Sequence, residues 1–99
     1  MNSNRLSFDQ IGQPYLIADG FLFTEGPVWN KKEGYILFSD IAASTIYKLT
    51  LPNNIEVFRK PSYNSNGLAY DTNGLLLAAE HGSRTVTRME KDGAVVPIA

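Results

Sequence analysis

The apolar and polar positions of this chain fall into short runs and alternations, with no stripe at the 3.6-residue spacing of a helix. Residues 26–29 (GPVW) and 35–38 (YILF) are apolar throughout, as expected of strands covered on both faces. Residues 45–49 (TIYKL) and 55–58 (IEVF) alternate, the pattern of strands with one wet face. A crossover at 59–63 follows, in which Pro61 turns Lys60 away from helix. The order then restarts with 67–70, 75–79, 84–89 and 94–98. Between the runs stand turn formers: Asn30 with Gly34, Pro52 with Asn53 and Asn54, Asp71 with Gly74, and Asp92 with Gly93. From residue 26 onward the pattern predicts eight strands and no helix.

The two halves read as copies of one unit. Glu25 before Gly26 is echoed by Asn66 before Gly67, and each glycine opens an apolar run closed by Asn30 or Asp71. Gly26 and Gly67 stand 41 positions apart, whereas Gly34 and Gly74, Asp40 and Glu80, Ile46 and Val86, and Lys48 and Arg88 stand 40 apart. The single lost residue falls in the turn, where deletions are tolerated. A period of roughly 40 residues with four short strands per copy is the signature of a four-stranded propeller blade. The fold class is therefore all-β: a β-propeller fragment of about two four-stranded antiparallel blades. Residues 1–13 are expected as a polar leader, 14–20 as a strand preceding blade one that would pair with the last blade of a ring, 21–60 as blade one and 61–99 as blade two. Propellers close with about 4 to 8 blades, so the remaining blades of the same protein are the expected partner.

Composition narrows the function classes. A 43% hydrophobic content over 99 residues is enough for a core. The nine Lys and Arg are scattered among ten acids for a net charge of −1, with no electrostatic footprint for nucleic acid or an anionic membrane. No Cys is present, which removes disulfide and thiolate chemistry and fits a reducing compartment. The first ten residues lack the apolar core of a signal peptide, and no run approaches the roughly 20 residues that cross a bilayer. A cytoplasmic location is expected. No G-x-S-x-G elbow occurs and nothing sets a Ser beside His81, which argues against a nucleophilic triad.

The segments FTEGPVW, ILFSD, NSNGLAYD, LLLAAEHGSR and TVTRMEKDG, in this order and at blade spacing, resemble the gluconolactonase, senescence-marker-protein and luciferin-regenerating-enzyme family of six-bladed propellers. The resemblance runs over about residues 15–99, roughly the first third of a member. LLLAAEHGSR, with Glu80 and His81 together, is most similar to the bacterial gluconolactonase-like branch. It implies a divalent-metal-dependent hydrolase of sugar lactones whose ion sits in the central channel. It implies Glu25 as the first metal ligand and Asn66 as a channel-facing contact to substrate, with Glu80 and His81 as further substrate-binding residues. The remaining ligands, an Asn and an Asp, belong to later blades, so no catalytic residue is assigned within this chain. By itself the chain is expected to be an incomplete, inactive N-terminal part.

The chemistry agrees with that donor set. A lactone hydrolase must polarise the ring carbonyl and bring up water, and a divalent ion does both. Carboxylate and carboxamide oxygens suit calcium, which takes about 6 to 8 of them; magnesium and manganese are alternatives, and zinc, which favours Cys and His, fits less well. Two other readings remain open: a non-catalytic scaffold or binding propeller, and a fragment of which three copies rebuild six blades. Asp40 is expected to cap a turn, Trp29 and Tyr70 to pack between blades, and Lys48, Arg84 and Arg88 to form a solvated face.

Overall fold

The computed structural model describes residues 20–99. The leader and the strand expected before blade one lie outside the described residues, apart from Gly20. Eight strands form two four-stranded antiparallel sheets, each a meander in chain order. Sheet one holds β1 (Thr24–Asn30), β2 (Tyr35–Asp40), β3 (Thr45–Thr50) and β4 (Asn54–Arg59). Sheet two holds β5 (Ser65–Tyr70), β6 (Leu76–Glu80), β7 (Thr85–Met89) and β8 (Val95–Pro97). Among the described residues there is no helix, and so none long and apolar enough to cross a membrane.

The strand registers carry the repeat. Trp29 pairs with Ile36 as Tyr70 pairs with Leu76, and Asp40 pairs with Thr45 as Glu80 pairs with Thr85. The offset is therefore 41 along the first strands and 40 thereafter. Each first strand also carries a bulge near its head, between Glu25 and Val28 in β1 and, one residue earlier in the repeat, between Ser65 and Leu68 in β5. An extra residue there bends the strand and re-aims its head. The tight turns match as well: Gly34 and Gly74 take φ of 77° and 79°, and Ser44 and Arg84 take 52° and 56°.

The sheets meet face to face. Leu37 and Ile46 of sheet one and Leu76 of sheet two form the buried cluster, flanked by Val28, Tyr35, Phe58, Leu68, Tyr70 and Met89. Leu37 and Ile46 are 0% exposed; burying side chains of this size contributes about 1.5–3 kcal/mol each. At one end of the seam the Asn30 amide donates to the hydroxyls of Tyr35 and Tyr70, at 3.0 and 3.1 Å. Burial pushes the Tyr70 hydroxyl up to about 12 against the opposing pull of the Asn30 bond. Tyr70 is thus an inter-sheet aromatic. Its counterpart Trp29 is 49% exposed on the far face of sheet one, so only one of the two expected packing aromatics is covered within the described residues.

At the other end the crossover is stitched to both sheets. Asn64 donates from its amide side chain to the Ile41 carbonyl, its backbone N–H reaches Ser44 Oγ, and its carbonyl accepts from His81 N–H. Ser39 and Ser65 share a buried hydroxyl contact of 3.0 Å across the seam. The lead-in to β1 is held by Phe21, whose ring meets Phe38 and Tyr47 edge-on at 5.0 and 5.1 Å.

The tightest approach is at Gly26. Its φ is 59°, and a Cβ built there would overlap the carbonyl oxygen of Asn66. Both the left-handed backbone and the neighbouring chain exclude a side chain. Gly26→Val is expected to lower stability by at least about 2–3 kcal/mol, read as a fall in the urea midpoint; an unchanged midpoint would show that the sheets do not need this contact.

Candidate functional site

The heads of β1 and β5 lie together. Glu25 and Asn66 occupy equivalent positions before their glycines, and both are exposed. Gly26, next to Glu25, abuts the Asn66 backbone. Among the described residues the Glu25 carboxylate takes part in no ion pair. Glu25 is still in register opposite Ser39 at the edge of the β1 bulge, whereas Asn66 falls within the bulge of β5.

Asn66, Glu80 and His81 line one open recess of about 370 Å³, together with Arg84. His81 begins the exposed turn after β6, and its N–H bond to Asn64 fixes the start of that turn. Arg84, read from sequence as part of a solvated third strand, instead closes this turn with φ of 56° and joins the recess. Its equivalence to Ser44, 40 positions earlier, marks it as a turn residue.

Glu80 touches the recess but its carboxylate is engaged elsewhere. It is the buried last residue of β6, not part of an exposed loop. Arg59 Nη2 donates to its Oε2 at 2.6 Å, Thr87 Oγ1 donates to the same oxygen at 2.6 Å, and Ser83 Oγ donates to Oε1 at 2.8 Å. The side chains of Arg59 and Glu80 are 11% and 2% exposed. Burial by itself would raise the Glu80 carboxyl, and the donors from Thr87, Arg59 and Ser83 together hold it below its ordinary value. Glu80 thus borders the recess with side-chain oxygens that accept from Arg59 of sheet one and from Thr87 and Ser83 of the second repeat. Arg59, which sequence reading placed only in the crossover, is its charge partner.

Asp40 is the counterpart of Glu80 in sheet one and is also buried. Its oxygens accept the amides of Leu22 and Phe23, each at 2.9 Å. Burial would raise this carboxyl too; the amides of Leu22, Phe23 and Ala43 outweigh it and leave it below its ordinary value. Asp40 therefore caps as expected, but it pins the lead-in to β1 as well as its own turn.

Among the described residues these supply one carboxylate outside any ion pair and one carboxamide, on adjoining strand heads. No group of three or more His, Cys, Asp or Glu that could hold a metal ion occurs among the described residues. The donors present are oxygen donors of the kind calcium takes, and they do not complete a shell of about 6 to 8 ligands.

Two bladed sheets with polar side chains at the heads of their innermost strands define a propeller-type segment. Residues 23–99 match the family described as the SMP-30/Gluconolactonase/LRE-like region, and the chain belongs to that family. Over 88 residues it is 30% identical to a gluconolactonase of Zymomonas mobilis, covering 76% of this chain and 25% of that protein. A solved structure provisionally assigned as a gluconolactonase superposes with a TM-score of 0.77 at 32% identity, over 84% of this chain and 29% of the other. The gluconolactonase of Xanthomonas campestris superposes with a TM-score of 0.78 at 25% identity, over 84% and 28%. The chain thus spans between a quarter and a third of the length of these relatives.

In the folded protein Glu80 titrates below its ordinary 4.5. Its stabilisation is therefore fully present above that value and is lost as pH falls through the lower, folded one. Glu80→Gln leaves Arg59 without its charge partner, and a cost of about 3 kcal/mol is expected at pH 7, with a flatter loss of stability below pH 4.5. Urea midpoints measured at both ends of that range check this; a variant as stable as the parent at pH 7 would remove the ion pair from the seam.

Proposed function

We propose that this chain supplies two blades of a divalent-metal-dependent sugar-lactone hydrolase of the gluconolactonase type, working in the cytoplasm. The observation that carries the reading is the approach of the β1 and β5 heads, where Gly26, next to Glu25, lies against the Asn66 backbone in a chain of this family. In this reading Glu25 is one oxygen ligand of a metal ion, calcium foremost, and Asn66 and His81 contact the substrate. The ion, when held, supplies polarisation of the lactone carbonyl and activation of water. The chain's own contribution is orientation: the Gly26 approach sets the spacing of the two heads, and the Asn64 bond sets the turn that carries His81. The further ligands come from outside the described residues.

Replacing the corresponding segment of the Zymomonas mobilis gluconolactonase by residues 20–99 tests the reading in a full-length ring. Gluconolactone hydrolysis is expected to survive the exchange. Glu25→Gln in that ring is expected to lower kcat at least about 100-fold and to abolish the calcium-dependent rise in Tm. Full activity with Glu25→Gln would remove Glu25 from the metal site. A folded exchange protein that neither hydrolyses lactone nor responds to calcium would favour the scaffold reading.

A further inference from the structure

The two repeats hold the turn after their second strand by different means. In the first, Asp40 ends β2 and takes backbone amides, those of Leu22 and Phe23 in the lead-in and that of Ala43 in its own turn. In the second, the acid is longer by a methylene and the counterpart of Ala43 is Ser83. The Ser83 hydroxyl donates to Glu80 Oε1 at 2.8 Å. The tether from acid to turn is thus kept across the repeat, with a side-chain hydroxyl in place of a main-chain amide.

The longer acid divides its two oxygens. Glu80 Oε2 is held by Arg59 Nη2 from β4 and Thr87 Oγ1 from β7, each at 2.6 Å, and Oε1 is left to the turn. A serine hydroxyl carries one proton. With that proton on Oε1, the 2.6 Å contact between Ser83 and Thr85 is donated by Thr85. Donation therefore runs from the exposed turn inward to the buried ion pair.

Residues 81–84 are all exposed, so no apolar burial fixes this turn. Its first half hangs on the crossover: the amides of His81 and Gly82 donate to the carbonyls of Asn64 and Tyr63 at 3.3 and 2.7 Å. A Cβ at Gly82 would lie 2.7 Å from that Tyr63 oxygen, so the approach admits no side chain. In its second half the Arg84 amide makes only a long bond of 3.3 Å back to the His81 carbonyl. The Ser83 hydroxyl is what ties this half to β6.

We propose that Ser83 is a positioning residue for His81: through Glu80 it locks the exposed turn to the Arg59–Glu80 pair, so that the outer strand of sheet one sets where the imidazole stands. This role rests on the reading of His81 as a substrate contact, and Ser83 acts on substrate only through it. It differs from a share in holding the sheets together. Arg59 and Glu80 join the sheets, whereas Ser83 lies exposed in the turn. Its loss loosens the turn and leaves the seam.

The test is the kinetics of gluconolactone hydrolysis in the ring whose corresponding segment is replaced by residues 20–99. Ser83→Ala is expected to keep Tm within about 2 °C of the parent ring and to raise KM at least about fivefold with a smaller change in kcat. Ser83→Thr, which retains the hydroxyl, is expected to restore the parent KM. In a His81→Ala background, Ser83→Ala is expected to add nothing, because the group it acts through is gone. If His81→Ala raises KM and Ser83→Ala does not, the positioning role alone is overturned. If His81→Ala leaves KM unmoved, or the ring hydrolyses no lactone, the underlying reading falls and the positioning role with it. An effect of Ser83→Ala that is equal with and without His81, or that is matched by a fall in Tm, makes Ser83 merely structural and overturns the role as well. Amide exchange by NMR on the 99-residue chain needs no activity: Ser83→Ala is expected to speed exchange at Arg84 at least about tenfold while the β6 amides keep their rates, and equal rates at Arg84 overturn the tether.

Discussion

Everything in this chain depends on the close approach of two sheets whose backbones all but touch at Gly26 and Asn66. Leu37, Ile46 and Leu76 supply the apolar adhesion of the seam, but apolar contact has no direction of its own. The polar contacts at its ends give it one. The Asn30 amide binds Tyr35 and Tyr70 at one end, while Ser39 with Ser65 and Arg59 with Glu80 bind at the other. A shift along the seam would break both sets together. The site inherits its precision from this arrangement, because Glu25 and Asn66 flank the point of closest approach.

The seam also explains why each repeat carries a buried acid at the end of its second strand, and why the two acids differ. At position 40 the shorter side chain meets backbone amides in the lead-in to its own sheet. At position 80 the extra methylene accompanies a reach across the crossover to Arg59 in the neighbouring sheet. Both carboxylates lie below their ordinary titration range because donors outweigh burial, and in both the donors come from outside their own strand. One repeat position thus tethers an entering segment in the first copy and joins two copies in the second.

The repeat and nearly all strand positions were legible because apolar runs, turn residues and the 41-then-40 offset are local features of the chain. Glu25 and Asn66 were legible as equivalents for the same reason. The partners of buried polar groups were not. Arg59 and Glu80 are 21 positions apart, and nothing local to either distinguishes a clamp from a loop pair. The alternation around Arg84 suggested a strand, whereas its place opposite Ser44 in the repeat, with positive φ, makes it a turn. Trp29 and Tyr70 look interchangeable as large aromatics, but only Tyr70 faces the sheet beside it. Composition reports that a side chain can be buried; which face it buries is decided by where the next sheet stands.

That dependence on a neighbour reaches the chemistry. Each sheet brings one oxygen-bearing side chain to the head of its innermost strand, Glu25 in one and Asn66 in the other. A hard cation needs several such donors converging on one point, more than two sheets can present. The number of heads around an axis therefore sets coordination, and the seam sets the spacing between successive heads. In the proposed metal-dependent reading, a rigid seam would fix that spacing in advance, so the ordering cost would fall on folding and not on binding. Glycine at the seam is what makes the spacing short: with a Cβ at position 26 the heads would have to part, and the donors with them.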